Sequence, residues 1–371
     1  MTSTETPPAN EAPDRDDPRW VISIDGMGGE GGVDAILGGM AKSAAKNPDI
    51  RYILHADKAL FEGPLAKRPD LLALTDLRHV EKTISMDEKP SHALRNGKES
   101  SMWNALETVR DGEATVAVSC GNTGALMAMS MLRLRKMPGV NRPAIAVLWP
   151  SRNTTGHNVI LDMGAAPTAD AADLVQFAVM GTSYARNGFA VAKPRVGLLN
   201  IGTEEHKGRP ELHEAAELIE NAAEHGNFTY VGFVEGSDLA SDAVDVIVTD
   251  GFTGNVALKT AEGTAMLIRE FLSDAFRHSF FSKLSAYIAL PALKRLQKRM
   301  DPRRVNGGVF LGLNGTVIKS HGSADATGVS AAIKLAFILA QNGFSEKLAA
   351  RVASQLPKAK DEDPDQSAEA S

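Results

Sequence analysis

The chain has 371 residues, of which 43% are hydrophobic, 23% charged and 5% aromatic, and its net charge is −6. That length buries a large core and fits two lobes, while the acidic balance argues against a nucleic-acid partner. A single cysteine excludes an internal disulfide framework and fits a reducing cytoplasm, and no stretch reaches the roughly 18 apolar residues of a membrane span.

Residues 1–18 are acidic and Pro-rich, lack an apolar signal core, and read as a disordered tail. Trp20-Val-Ile-Ser-Ile-Asp25 reads as a strand ending in a carboxylate. A Gly-rich turn, Gly26 to Gly32, leads into a helix from about Val33 to Asn47, and Ile50 to Leu54 gives a second strand. This βαβ opening predicts an α/β fold with a parallel sheet. Gly26-x-Gly28-x-x-Gly31 matches a dinucleotide fingerprint. The acidic residue expected at the end of the second strand arrives late, as Asp57. The competing reading is a turn whose glycines, Gly28 and Gly29 among them, let backbone approach a phosphate closely.

Lys98 to Met102 opens a helix running to about Val109, and Ala114 to Val118 is a strand. Ser119-Cys-Gly-Asn-Thr-Gly124 is the next turn, with a helix from Ala125 to Leu134 after it. Neutral side chains such as Asn122 and Thr123, beside free helix-start amides, suit a phosphate or an oxyanion. Cys120 invites a covalent acyl-thioester reading; a lone Cys in a tight turn is more often a small packed residue. Arg142 to Leu148 and Asn158 to Asp162 read as strands of one hairpin, and Ala171 to Tyr184 as a mostly apolar helix. Arg195 to Asn200, Tyr230 to Val234 and Val244 to Asp250 are further strands, with a polar helix, Glu211 to Glu224, among them. Asp250-Gly-Phe-Thr-Gly-Asn255 then turns into a helix bearing Lys259 and Glu262. Ligands in open α/β sheets bind at the carboxyl ends of strands. A cleft lined by such turns from two lobes is therefore expected.

Thr264 to Met300 is long, helical and apolar, with Phe271, Phe276, Phe280, Phe281, Leu284 and Tyr287 in its first part and Lys294, Arg295, Lys298 and Arg299 in its second. A hairpin with an apolar tip and a basic flank suits an anionic membrane surface. The alternatives are a dimer interface with a solvated basic edge, or a docking patch for an acidic protein. Finally, Gly315 to Ile318 is a short strand that empties into Lys319-Ser-His-Gly-Ser323 and a helix from Gly328 to Leu339. Helix-start amides with Lys319 favour an anion, and His321 carries protons near neutral pH. Ser323 and Asp325 also suit a plain N-cap. Residues 357–371 are charged and read as a second tail.

Eight stretches together resemble the phosphate acyltransferase family (PlsX type): IDGMGGE (24–30), SSMWNA (100–105), SCGNTGALM (119–127), RPA (142–144), LDMGA (161–165), VGLLNIGTEEHKG (196–208), VTDGFTGNVALKT (248–260) and VIKSHGSADATGV (317–329). They run in family order. In similar proteins the first motif reads Asp-Ala-Met-Gly-Gly-Asp with a Pro soon after. Gly26 and Glu30 depart from it, and Gly26 is what creates the apparent dinucleotide fingerprint.

The resemblance implies a two-lobed, three-layer α/β/α fold, like the isocitrate/isopropylmalate dehydrogenases and phosphotransacetylases, with a protruding helical hairpin. The lobes are expected at 19–140 plus 305–350 and at 141–263, with the hairpin at 264–304. It also implies a cytoplasmic homodimer lying on the inner membrane face. The enzyme would move a fatty acyl group from acyl carrier protein to inorganic phosphate, using no cofactor and no metal. The acyl phosphate would pass to a membrane glycerol-3-phosphate acyltransferase. On this reading His321, Lys259 and Asn255 are the catalytic candidates. Asp25, Gly28, Gly29, Asn122, Thr123, Gly124, Asp250, Thr253, Gly254, Lys319, Gly322 and Ser323 would hold phosphate. Phe280, Phe281, Leu284, Lys294, Arg295, Lys298 and Arg299 would meet membrane or partner. A dehydrogenase of the same fold group and a non-catalytic membrane scaffold are the rival readings.

Overall fold

The computed structural model describes residues 20–204, 206–279, 281–282, 285, 287, 289–293 and 307–355. The strands in chain order are β1 (Trp20–Asp25), β2 (Ile50–Ala56), β3 (Thr75–His79), β4 (Val116–Ser119), β5 (Ala144–Pro150), β6 (His157–Leu161), β7 (Arg195–Leu199), β8 (Thr229–Val234), β9 (Val246–Val248), β10 (Gly308–Leu311) and β11 (Thr316–Lys319). The helices are α1 (Gly32–Ala44), α2 (Lys58–Ala66), α3 (Pro69–Leu72), α4 (Pro90–Asn96), α5 (Ser101–Arg110), α6 (Thr123–Arg133), α7 (Ala171–Phe189), α8 (Pro210–Gly226), α9 (Gly251–Arg277), α10 (Ala326–Gln341) and α11 (Phe344–Gln355).

All the strands join one sheet, in the order β3-β2-β1-β4-β11-β10-β5-β6-β9-β7-β8. The Val- and Ile-rich strands of the first half run parallel, and so do β6, β9, β7 and β8. Between them β10 is antiparallel to both neighbours, and β5 is antiparallel to β6. The two lobes therefore share a continuous sheet whose halves run in opposite senses.

Helices cover both faces, as buried parallel strands require. The Ile22 and Ile24 side chains face a core shared with α1, α7, α8, α10 and α11. Ala117 and Val317 face the opposite core, with Met102, Trp103 and Leu106 of α5, Leu126 and Met129 of α6, and Ala257 and Leu258 of α9. Side chains alternate along a strand. Asp25, Ser119 and Lys319 thus point to the same face as α5, α6 and α9. The turns that follow β1, β4 and β11 leave from the ends of neighbouring parallel strands, beside that face.

Two features differ from the sequence expectation. α9 is one helix that runs through residue 263 without a break, carrying the chain from the second half into the apolar stretch. β10 closes the gap between the halves; its Gly308–Leu311 run is too short to show a period.

The first turn of α9 lies hard against the loop after β6. A Cβ on Gly254 would sit 2.0 Å from the Asp162 carbonyl oxygen, whereas one on Gly263 would meet nothing within 4 Å. Gly254→Ala should therefore destabilise the protein by about 3 kcal/mol through backbone overlap. Gly263→Ala should stabilise it by about 0.5–1 kcal/mol through helix propensity. Urea unfolding curves of both variants check this; equal midpoints would refute the packing assignment.

Candidate active site

Asp25 ends β1 and is 1% exposed. Its carboxylate accepts from Ser101 Oγ and Ser119 Oγ, each at 2.6 Å, and from the Gly28 and Met27 amides at 3.1 and 3.3 Å. Burial pushes its pKa up, and the four hydrogen bonds oppose that shift. The glycine turn, the end of β4 and the start of α5 are thereby tied together. The turns approach so closely that side chains are excluded. A Cβ on Gly28 would lie 2.8 Å from the Gly121 nitrogen, and one on Gly29 2.8 Å from the Gly322 oxygen. The Glu30 amide also donates to Gly322 O at 2.7 Å. These contacts explain the Gly26-x-Gly28-x-x-Gly31 spacing by loop packing. Asp57, the late acidic residue, caps α2 by accepting from the Ala59 amide at 2.9 Å.

The Asn122 side chain holds its own turn and the segment before α4. Its Oδ1 caps α6 by accepting from the Ala125 amide at 3.0 Å. Its Nδ2 donates to the carbonyls of Met86 and Glu88 at 2.7 and 2.9 Å. The side chain is thus fully engaged, and what the turn offers an anion is the amides of Thr123 and Gly124, which hold no acceptor among the described residues. Asp25 likewise takes up the Gly28 amide, so the inward-turned carboxylate, not a ligand, satisfies that part of the glycine turn.

Lys319 ends β11 and is half-buried. Its ammonium donates to the Ser320 carbonyl. Burial holds its pKa below the ordinary lysine range; the neighbouring Cys120 and Asp25 pull it up, and the like charge of Lys259 pushes it down. Lys259 of α9 is near enough to act on it electrostatically, while its own ammonium donates to Glu262 at 2.8 Å. His321 is exposed, and its Nδ1 lies 2.8 Å from Ser323 Oγ and 3.2 Å from the Ser323 amide. Gly322 is buried beneath Met86.

The second cluster surrounds the start of α9. Asp250 caps the helix through the Thr253 amide at 2.8 Å and also accepts from Thr253 Oγ1 at 3.1 Å. Arg209 donates to Asp250 Oδ2 at 2.5 Å, the oxygen that also accepts from Thr253 Oγ1. Gly254 presses on Asp162, and exposed Asn255 lies beside Gly164. Asp162 gathers the amides of Ile145, Gly164, Ala165 and Ala166 at 2.8, 3.2, 3.0 and 2.6 Å. Sequence reasoning missed Arg209, Met86 and the roles of Ser101 and Ser119; both serines lie in the quoted motifs, but nothing local marks them as partners of Asp25.

Cys120 is buried, and burial pushes its thiol up to about 11. A thiol held there is protonated at neutral pH and a poor nucleophile, so the covalent reading does not fit. Among the expected contact residues, Phe281 is 78% exposed. Phe280, Leu284, Lys294, Arg295, Lys298 and Arg299 lie outside the described residues. No helix among the described residues is long and apolar enough to cross a membrane.

The sheet and its flanking helices define a phosphotransacetylase-like α/β protein. A phosphotransacetylase from Streptococcus pyogenes matches with a TM-score of 0.56 at 17% identity, over 91% of this chain and 97% of that one. At that identity the likeness shows the fold alone. The family model described as fatty acid synthesis protein matches residues 20–347, and the chain belongs to that family. A relative from Paracoccus denitrificans is 66% identical over 339 residues, covering 91% of this chain and 92% of its own. One from Ruegeria sp. is 62% identical over 354 residues, covering 95% and 94%. Both are named phosphate acyltransferase. The resemblance carried by the loop motifs is thus confirmed.

Removing the Asp25 carboxylate leaves two buried hydroxyls and two amides without their acceptor. Asp25→Ala should cost about 3–5 kcal/mol, whereas Ser101→Ala should cost only about 1 kcal/mol. Denaturant titration of the two variants compares them directly; an Asp25→Ala protein as stable as the parent would overturn the hub assignment.

Proposed function

We propose that the protein transfers a fatty acyl group from acyl carrier protein to inorganic phosphate, and that the acyl phosphate feeds glycerol-3-phosphate acylation in phospholipid synthesis. Family membership and the relatives' name support acyl transfer to phosphate. The observation that carries the reading to this site is the pair of open amides of Thr123 and Gly124 after β4, with Lys319 ending the neighbouring strand β11 and Lys259 near enough to help lower its pKa. Two cations and helix-start amides suit a small dianion.

Phosphate dianion is already a competent nucleophile, so no covalent enzyme nucleophile is required. One phosphate oxygen attacks the thioester carbonyl carbon, the tetrahedral oxyanion collapses, and the carbon–sulfur bond breaks. The departing thiolate takes a proton, for which exposed His321 is the candidate donor. Lys319 and Lys259 hold the phosphate and Asn255 orients it from the first turns of α9. Positioning of this kind is worth about 7–11 kcal/mol in favourable cases, and one oxyanion donor about 3–4 kcal/mol.

On the same reading the enzyme is a cytoplasmic homodimer resting on the inner face of the membrane. The exposed apolar residues of α9, among them Met266, Leu267 and Phe271, support pairing with a second copy. Exposed Phe281 and Tyr287 support contact with lipid nearer the tip. The basic residues 294–299 would favour anionic headgroups, or the acidic surface of the carrier protein.

Incubation with long-chain acyl carrier protein and labelled phosphate should give labelled acyl phosphate, and none would refute the reading. The lowered Lys319 pKa sets a sign. Phosphate affinity should fall as pH rises through that value, because the ammonium is lost. Lys319→Arg, which stays charged, should keep its affinity at high pH; parallel profiles would exclude Lys319 from phosphate binding. His321→Ala should lower turnover by about 10²–10⁴-fold, and full activity would remove His321 from the mechanism.

Phe271→Asp should convert dimer to monomer in sedimentation velocity. Phe281→Asp should release the enzyme from anionic vesicles while sparing turnover of a soluble substrate. Vesicle binding unchanged by the second variant would place Phe281 elsewhere than on lipid.

A further inference from the structure

Residues 80–89 cross from the end of β3 to α4 without regular structure and pass over the three-turn junction. Four ties fix this strap. Ile84 is buried among Met102, Leu126 and Met129 in the core beneath α5 and α6. The Thr83 hydroxyl donates to the Met27 carbonyl at 3.1 Å, and the Ser101 amide donates to Lys82 O at 3.0 Å. Asn122 latches the far end through the Met86 and Glu88 carbonyls. The strap thus delivers one half-buried apolar side chain, Met86, onto the His321–Ser323 turn. Its Cε is so close that a Cβ on Gly322 would lie 2.6 Å away.

The chemistry of the site needs such a wall. A fatty thioester whose carbonyl sits beside Lys319 must lay its first methylenes on something apolar. Lys319, Lys259, His321, Ser323 and Thr123 are all polar. Apolar side chains at these turns include Met86 at Gly322, Met102 at Gly121 and Pro90 at Gly124; Met102 is buried, and half-buried Met27 has its Sδ 3.2 Å from the Asp57 amide. Methionine is unbranched and adapts its shape, which suits a flexible alkyl chain. We infer that Met86, presented by the strap that Asn122 latches, is the surface against which the acyl chain lies and the residue that sets chain-length preference. This inference rests on the acyl-transfer reading above.

The test measures kcat/KM for short-, medium- and long-chain acyl carrier protein, with phosphate KM as the control. Met86→Trp narrows the space beside Gly322 and should lower the long-to-short ratio by about tenfold, the size of one lost pocket contact. Met86→Ala should raise that ratio, with phosphate KM unchanged in both. Asn122→Asp keeps the oxygen that caps α6 and loses the donor pair to the strap. It should reproduce the Met86→Ala profile and open residues 80–89 to limited proteolysis. Variants whose activity falls equally for every chain length would overturn the inference and leave Met86 a packing plug. If the parent protein made no acyl phosphate from any donor, the acyl-transfer reading itself would have failed, which is a separate result.

Discussion

A single carboxylate, sunk beneath the glycine turn, sets the geometry of everything around it. Asp25 cannot be buried as a charge unless its oxygens are filled, and its donors come from the turn itself, from β4 and from α5. Meeting that demand draws the segments into fixed register. Once they are drawn in, there is no space for side chains between them, and glycine is imposed at 28, 29 and 121 by contact distance. Lys319, one strand over from β4, then has nowhere to place its ammonium but beside the same carboxylate and Cys120. How the acid is satisfied thus decides which amides of these turns stay open. Amides that Asp25 and Asn122 consume are unavailable to a ligand, and the remaining donors at the start of α6 face the cleft.

Strand direction is the second constraint. Because β5 and β10 reverse the sheet, β9 ends at the opposite edge from β1, β4 and β11. Loops at the two sets of strand ends cannot simply meet. α9 follows β9 and packs Ala257 and Leu258 on the face to which Lys319 points, and Lys259, two turns in, is near enough to add to the lowering of the Lys319 pKa. Gly251 and Gly254 let the helix lie directly on the Asp162 loop, which fixes its angle. The helix then continues past the sheet, and its far part carries the exposed apolar residues.

Much of this was legible in the residues. The Val- and Ile-rich runs gave strands, and the acid-then-glycine pattern at Asp25, Asp162 and Asp250 marked the turns that build the site. The resemblance of eight loops to one enzyme family gave the fold and the chemistry. Other features were not legible, for physical reasons. Whether a helix-start amide faces a ligand or a carboxylate depends on tertiary packing, so Asn122 read as a binder although its amide clamps residues 86–88. Ser101 and Ser119 are distant in sequence from Asp25, and nothing local distinguishes a serine that donates to a buried acid from one that caps a helix. The strap has no apolar period, and four residues of β10 are too few to show one.

The two lysines illustrate why the site is shaped as an unfinished arrangement. Lys259 has a carboxylate, Glu262, on its exposed side, and Lys319 has Asp25 on its buried side. Burial is the main cause of the lowered Lys319 pKa, and the like charge of Lys259 adds to it. Like charges held together in a partly desolvated place are costly, and the penalty grows as water leaves. A second carboxylate between them would remove the penalty and occupy the site permanently. Under the proposed function, a diffusible dianion would remove it only while bound, so repulsion in the empty protein would become affinity when phosphate arrives. Because one lysine ends a strand and the other sits on a helix from the opposite half of the sheet, that affinity would act between the two halves and would hold α9 against the three turns while the thioester reacts.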